Sequence, residues 1–145
     1  MEHHSILRVV SKLLIPPILL YALYVQFHGE YGPGGGFQAG VIFAVAFILY
    51  ALVFGIEAMT EILPPRLVLV LAAVGVLIFA GTGIVTMLLG DAYLGYNALA
   101  EDPRHAQEWG IIAVELGVGI TVAAVMIAIF VAFASLTPSI KDEDW

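Results

Sequence analysis

Apolar residues run along this chain in long, nearly unbroken blocks, not in the alternating pattern of a half-buried strand or the one-sided stripe of a surface helix. A helix crossing a hydrocarbon layer needs about 20 mainly apolar residues at 1.5 Å of rise each. Blocks over 6–27, 36–56, 67–89 and 110–136 meet that requirement and predict four transmembrane helices. The first carries Arg8 and Lys12 near its start, where long basic side chains snorkel to the interface. The second has Gln38 as its only strongly polar member, the third has no charge, and the fourth holds one charge, Glu115. Continuous blocks argue against a transmembrane β-barrel, whose strands alternate and which four strands could not close. The expected fold is an all-α membrane protein, one four-helix domain over 1–136 followed by a short acidic tail over 137–145.

Three connections separate the blocks. Residues 28–35 are glycine-rich. Residues 57–66 contain Pro64-Pro65, which stop continuation of the second helix. Residues 90–109 are the longest connection, with a short interfacial helix expected over 99–107. Pro16-Pro17 inside the first helix predict a bend. No internal repeat is visible, so an inverted-repeat transporter within this chain is not indicated.

Composition sharpens the membrane assignment. Apolar residues make up 61% and charged residues 12%, with a mean hydropathy of +1.02. A soluble domain carries about 25% charged residues. A chain of this length cannot bury so much apolar surface in one water-soluble core. The net charge of −7 comes mainly from loop and tail acids. Five Lys and Arg are too few for a phosphate-neutralising patch, which disfavours nucleic acid as a partner. The absence of cysteine removes disulfides, thiol catalysis and thiolate metal sites. The N-terminus has the basic-then-apolar order of a signal peptide but no small-residue cleavage site, so it reads as a retained helix. Orientation follows from basic residues in the loops. Arg8, Lys12, Arg66 and Lys141 fall on one side and Arg104 on the other, which places both termini in the cytoplasm of a cell-membrane protein. Tyr21, Tyr24, Tyr31, Tyr93, Tyr96 and Trp109 then lie near the outer boundary, where interfacial aromatics belong.

The most specific segment is His28-Gly29-Glu30-Tyr31-Gly32-Pro33-Gly34-Gly35-Gly36-Phe37-Gln38-Ala39-Gly40. A dinucleotide fingerprint needs a strand before its glycines, and here a membrane helix precedes them. Two readings remain. Glycines permit a tight reversal, and Gly36, Gly40 and Ala44 form a small-xxx-small stripe for close helix packing. Alternatively, His28 and Glu30 at the loop mouth take part in ion or proton handling, since histidine titrates near neutral pH.

Gly32-Pro33-Gly34-Gly35-Gly36-Phe37 after a membrane helix, with His28 just before it, resembles the hallmark of the MnhB/MrpB family, the B subunits of Mrp-type multi-subunit Na⁺/H⁺ antiporters. Glu115-Leu116-Gly117-Val118-Gly119-Ile120-Thr121 and the four-helix length extend the resemblance over essentially the whole chain. It implies a subunit that packs with other hydrophobic subunits of a hetero-oligomeric complex exchanging Na⁺ and H⁺, not an enzyme, and without cofactor or metal of its own. Related subunits occur in membrane-bound hydrogenase complexes. Antiporter B subunits often read F-x-G-G where this chain reads Phe37-Gln38-Ala39-Gly40, so both parent complexes stay open at this point, as does a purely structural scaffold.

Glu115 is the one acid within a predicted span, about 7–8 Å along the helix from its expected start. A carboxylate in lipid is costly, so it should face protein or water. It is either a cation or proton station or a polar anchor between helices. Glu108, two turns earlier, shares its face. Glu57 and Glu61, at i and i+4, are expected at the end of the second helix, where they oppose its dipole and need compensation from water, Arg66 or another subunit. Small residues crowd the third and fourth spans at Gly75, Gly81, Gly83, Gly117 and Gly119, which suits close backbone approach.

Overall fold

The computed structural model describes residues 2–29 and 34–136, with side chains from residue 5 onward. Glu30, Gly32 and Pro33 of the glycine motif, and the acidic tail, lie outside the described residues. Five α-helices follow in order: α1 (Glu2–His28), α2 (Gly36–Phe54), α3 (Ile56–Ile62), α4 (Pro65–Leu88) and α5 (Pro103–Leu136), with a 3₁₀ turn at Tyr96–Leu99 before α5. Four of them, α1, α2, α4 and α5, are long and apolar enough to cross a membrane.

The helix ends follow from local chemistry. Gly35, at φ 119° and ψ −179°, starts α2 from a conformation essentially confined to glycine. Gly55, at φ 99°, ends α2 while its N–H still donates to the Ala51 carbonyl at 2.9 Å. Pro64 precedes α4 and Pro65 opens it, a position where the missing N–H costs nothing. Helix α1 runs through both Pro16 and Pro17.

Two expectations from sequence change. The connection 57–66 holds a short helix of its own, α3. Glu57 therefore sits in a first turn, where the dipole favours an acid, and both Glu57 and Glu61 are exposed to water. The left-handed turn at Gly55 is what separates them from α2. Secondly, α5 begins at Pro103, ahead of its apolar block, and no separate helix covers 99–107. Asp102 caps it: its carboxylate accepts the Arg104 N–H at 2.9 Å and its carbonyl accepts the Ala106 N–H at 3.0 Å.

The long helices pack in the order α1, α2, α5, α4, each mainly against its neighbour in that row. At the α4–α5 crossing a methyl group on Gly117 would lie 2.7 Å from the Gly75 carbonyl oxygen, so the two backbones touch. The Thr121 hydroxyl donates to the Gly117 carbonyl at 2.9 Å, with the Ala72 carbonyl of α4 at 3.3 Å. A small core of Ala44, Ala51, Met59, Val68, Ala124 and Ile127 closes the α3 end, with Met59 of α3 fully buried. On one face, α1 and α4 flank the central pair and leave an apolar groove of about 360 Å³ whose lining includes Ala22, Gln26, Phe43, Leu71 and Ile120. Large apolar side chains point outward, Leu13 70% exposed, Leu77 68% and Phe133 70%. Such a surface needs lipid or other membrane helices around it.

At the other end, the connection after α4 is tied down by Thr86. Its buried hydroxyl accepts the Leu94 N–H at 3.1 Å and donates within reach of the Gly83 and Ala92 carbonyls, at 2.9 and 3.1 Å. Tyr93 lies against Gly83 and Tyr96 against Gly110, contacts that leave no room for a side chain at either glycine.

Candidate functional site

The glycine loop turns between α1 and α2 and closes on itself through the Gly35 N–H, which donates to the Val25 carbonyl at 3.4 Å. It lies against Glu115 at three described positions. A methyl group on Gly29 would sit 2.8 and 2.9 Å from the two carboxylate oxygens of Glu115. One on Gly35 would sit 3.0 Å from Oε1. One on Gly36 would strike the Glu115 carbonyl oxygen itself. The glycines thus serve two ends: they reverse the chain, and they let the loop enclose a half-buried carboxylate.

The same stripe continues along α2. Gly36, Gly40 and Ala44 are all buried, and a methyl group on Gly40 would lie 2.6 Å from the Gly119 carbonyl oxygen. Glu115 and Gly119 on α5 therefore face Gly36 and Gly40 on α2 at backbone contact. That contact fixes the level of Glu115: it stands beside the first residue of α2 and just past the last of α1. The N-terminus of α2 has no side-chain cap of its own. The Glu115 carboxylate, next to its cap residue Gly35, lies where the helix dipole is positive, an arrangement worth about 0.3–1 kcal/mol at an exposed end and up to ~2 when partly buried.

The other residues singled out by sequence fall differently. His28 ends α1 with its ring stacked on Tyr24 at 4.9 Å, and Tyr24 stacks in turn on Tyr21 at 6.2 Å, an aromatic ladder along α1. Glu108 is half-buried on α5 but stands about 10 Å along the axis from Glu115, too far for direct contact through the helix face. Phe37, next to Gly36, is 60% exposed. Among the described residues, no three His, Asp or Glu side chains converge as a metal site requires.

Gln26 was not legible as a site residue. It is 9% exposed, and its side-chain oxygen presses on Gly119 of α5, so α1 reaches across to the helix that carries Glu115. Gln38 lies close by, its Oε1 3.8 Å from the methyl position at Gly35. The available signal was the placing of one amide on each side of the glycine loop, each in an otherwise apolar turn. Gln26 beside Gly119 and the exposed Gln38 beside Gly35 thus stand on either side of the level at which the loop meets Glu115.

Comparison with known proteins identifies the family. A family described as a domain related to the MnhB subunit of the Na⁺/H⁺ antiporter matches residues 6–128, a stretch that contains the glycine loop and Glu115. Antiporter subunit mnhB2 of Staphylococcus haemolyticus is 36% identical over 140 residues, covering 92% of this chain and 96% of that protein. The mnhB2 subunit of Staphylococcus aureus strain MRSA252 is 33% identical over 136 residues, again 92% and 96%. With a match of that extent and relatives that align from end to end, this multi-pass membrane chain belongs to the MnhB family.

Proposed function

We infer that the chain is a membrane subunit of a multi-subunit Na⁺/H⁺ antiporter, a secondary transporter and not an enzyme. The observation that carries this is the family match over residues 6–128 together with two relatives named as antiporter subunits along nearly their whole length. Its partners are other hydrophobic subunits of the complex, and it resides in the cell membrane. Both termini face the cytoplasm, which the basic-residue asymmetry of Arg8, Lys12, Arg66 and Lys141 against Arg104 supports. The glycine loop and the connection 89–102 then face outward.

In this reading Glu115 is an ion-handling group at the outer mouth. The helix dipole at the start of α2 favours a negative charge beside it, and the loop glycines bring the backbone close against the Glu115 oxygens. His28 and Glu30 stand before the loop in sequence and Glu108 two turns nearer the outer surface, so an ion reaching Glu115 from outside passes that neighbourhood. Gln26 and Gln38 supply neutral oxygens that need not be stripped of a proton to help.

Glu115→Gln, in the whole complex, tests the assignment because it keeps the side chain's shape and removes its charge. Antiport in everted vesicles is expected to fall sharply, with subunit composition unchanged. Full transport by the variant would reject the role of Glu115. Failure of the complex to assemble would make the residue an anchor between helices.

A further inference from the structure

Far from Glu115, the start of α1 meets the end of α2. There two cations converge on one aromatic ring. The Arg8 guanidinium carbon lies 5.9 Å from the Phe54 ring centroid and the Lys12 ammonium nitrogen 5.3 Å. The pair is spaced i, i+4 on α1, which puts both on one face. Both side chains are exposed, and Tyr50 stacks beneath Phe54 at 4.7 Å.

The charge arithmetic at this spot is unusual. The chain has twelve acids and five Lys and Arg, yet among the described residues neither Arg8 nor Lys12 is in an ion pair. The ring attracts each cation through its quadrupole but neutralises neither. Glu57, the first acid after Phe54, is exposed and in no ion pair with them. Among the described residues these two like charges have no counter-charge, and an anionic lipid headgroup would supply one.

Depth identifies which anion. Helix α2 has 19 residues, which at 1.5 Å each span about 28 Å, close to the ~30 Å of a bilayer's hydrocarbon. Phe54, its last residue, therefore stands near the edge of the hydrocarbon, from which side chains as long as those of arginine and lysine reach the headgroup layer. A zwitterionic headgroup brings its own ammonium and compensates poorly, whereas a phosphodiester with net negative charge matches a guanidinium fork beside an ammonium. We propose that Arg8 and Lys12, gathered over the Phe54 ring, bind the phosphate of an anionic phospholipid of the phosphatidylglycerol type where the start of α1 meets the end of α2. The site is independent of the antiport reading, since it uses neither Glu115 nor the glycine loop.

The test uses the assembled complex in phosphatidylcholine nanodiscs containing a small fraction of phosphatidylglycerol, with retained lipid counted by native mass spectrometry. The R8Q/K12Q double variant is expected to lose affinity for phosphatidylglycerol about fivefold per cation removed, roughly 25-fold in all. The charge-conserving swap R8K/K12R should keep most of the binding. Phe54→Leu, which leaves both charges in place, should weaken it about two- to fivefold. Equal phosphatidylglycerol retention by wild type and R8Q/K12Q would overturn the proposal. So would loss of a neighbouring subunit from R8Q/K12Q with lipid retention intact, because the cations would then answer to an acidic protein surface.

Discussion

Replacing Gly36 by alanine probes the contact that sets Glu115 at the start of α2. The added methyl group would overlap the Glu115 carbonyl oxygen and lie 2.8 Å from its carbonyl carbon and 3.0 Å from its Cα. Ordinary carbon contacts fall at about 3.5–4.0 Å, so α2 and α5 must separate by about 1 Å or twist apart. All three obstructing atoms are backbone and cannot rotate away. Overpacking of this kind costs about 1–3 kcal/mol, roughly 5- to 150-fold in the folding equilibrium. The helix-forming advantage of alanine over glycine, about 0.5–1 kcal/mol, offsets only part of it. Gly81→Ala is the matched control: it is also helical, and a methyl group there meets nothing within 4 Å. It should raise stability by up to ~1 kcal/mol. Unfolding in mixed micelles, followed by circular dichroism over a denaturing detergent titration, reads the difference, expected near 2 kcal/mol. Equal shifts for the two variants would show that α2 and α5 do not meet at Gly36, and the enclosure of Glu115 would fall with that contact.

Further outcomes follow from the outer connection. Thr86→Val keeps the shape but leaves the Leu94 N–H without its acceptor, and should cost about 1–3 kcal/mol; faster proteolytic nicking within 90–102 is the accompanying sign. Asp102→Ala removes the cap on α5 and should cost about 1 kcal/mol, read as faster amide exchange at Arg104. Burial holds the Tyr96 phenol above its ordinary value of 10.0. The folded form therefore keeps its proton where the unfolded chain loses it. The resulting stability is present below pH 10 and lost as pH rises through the raised value, so Tyr96→Phe should flatten the alkaline decline in melting temperature.

The spans were legible because membrane solvation leaves a coarse signal: block length alone locates α1, α2 and α4 to within a few residues. Smaller elements were hidden for identifiable reasons. Helix α3 is one short amphipathic segment with a single fully buried side chain, Met59, too little for periodicity to register. The early start of α5 was written in Asp102-Pro103, a cap followed by a proline at the first helical position, but hydropathy gives such polar first turns no weight. Glu115 stood out as a lone acid in a span, and the glycine loop stood out by composition. Their juxtaposition was not legible, because it depends on α2 pairing with α5 across a long stretch of intervening chain. Gln26 escaped for the same reason: only the fold brings it to Gly119.

A row of helices differs from a ring in one topological respect: it encloses no lumen. With α1 and α4 at opposite ends of the row, the chain can offer one wall of a conduit but not a closed tube. If an aqueous passage reaches Glu115, as the proposed role requires, its remaining walls come from surfaces outside this single chain, and its seal is made at the seams between them.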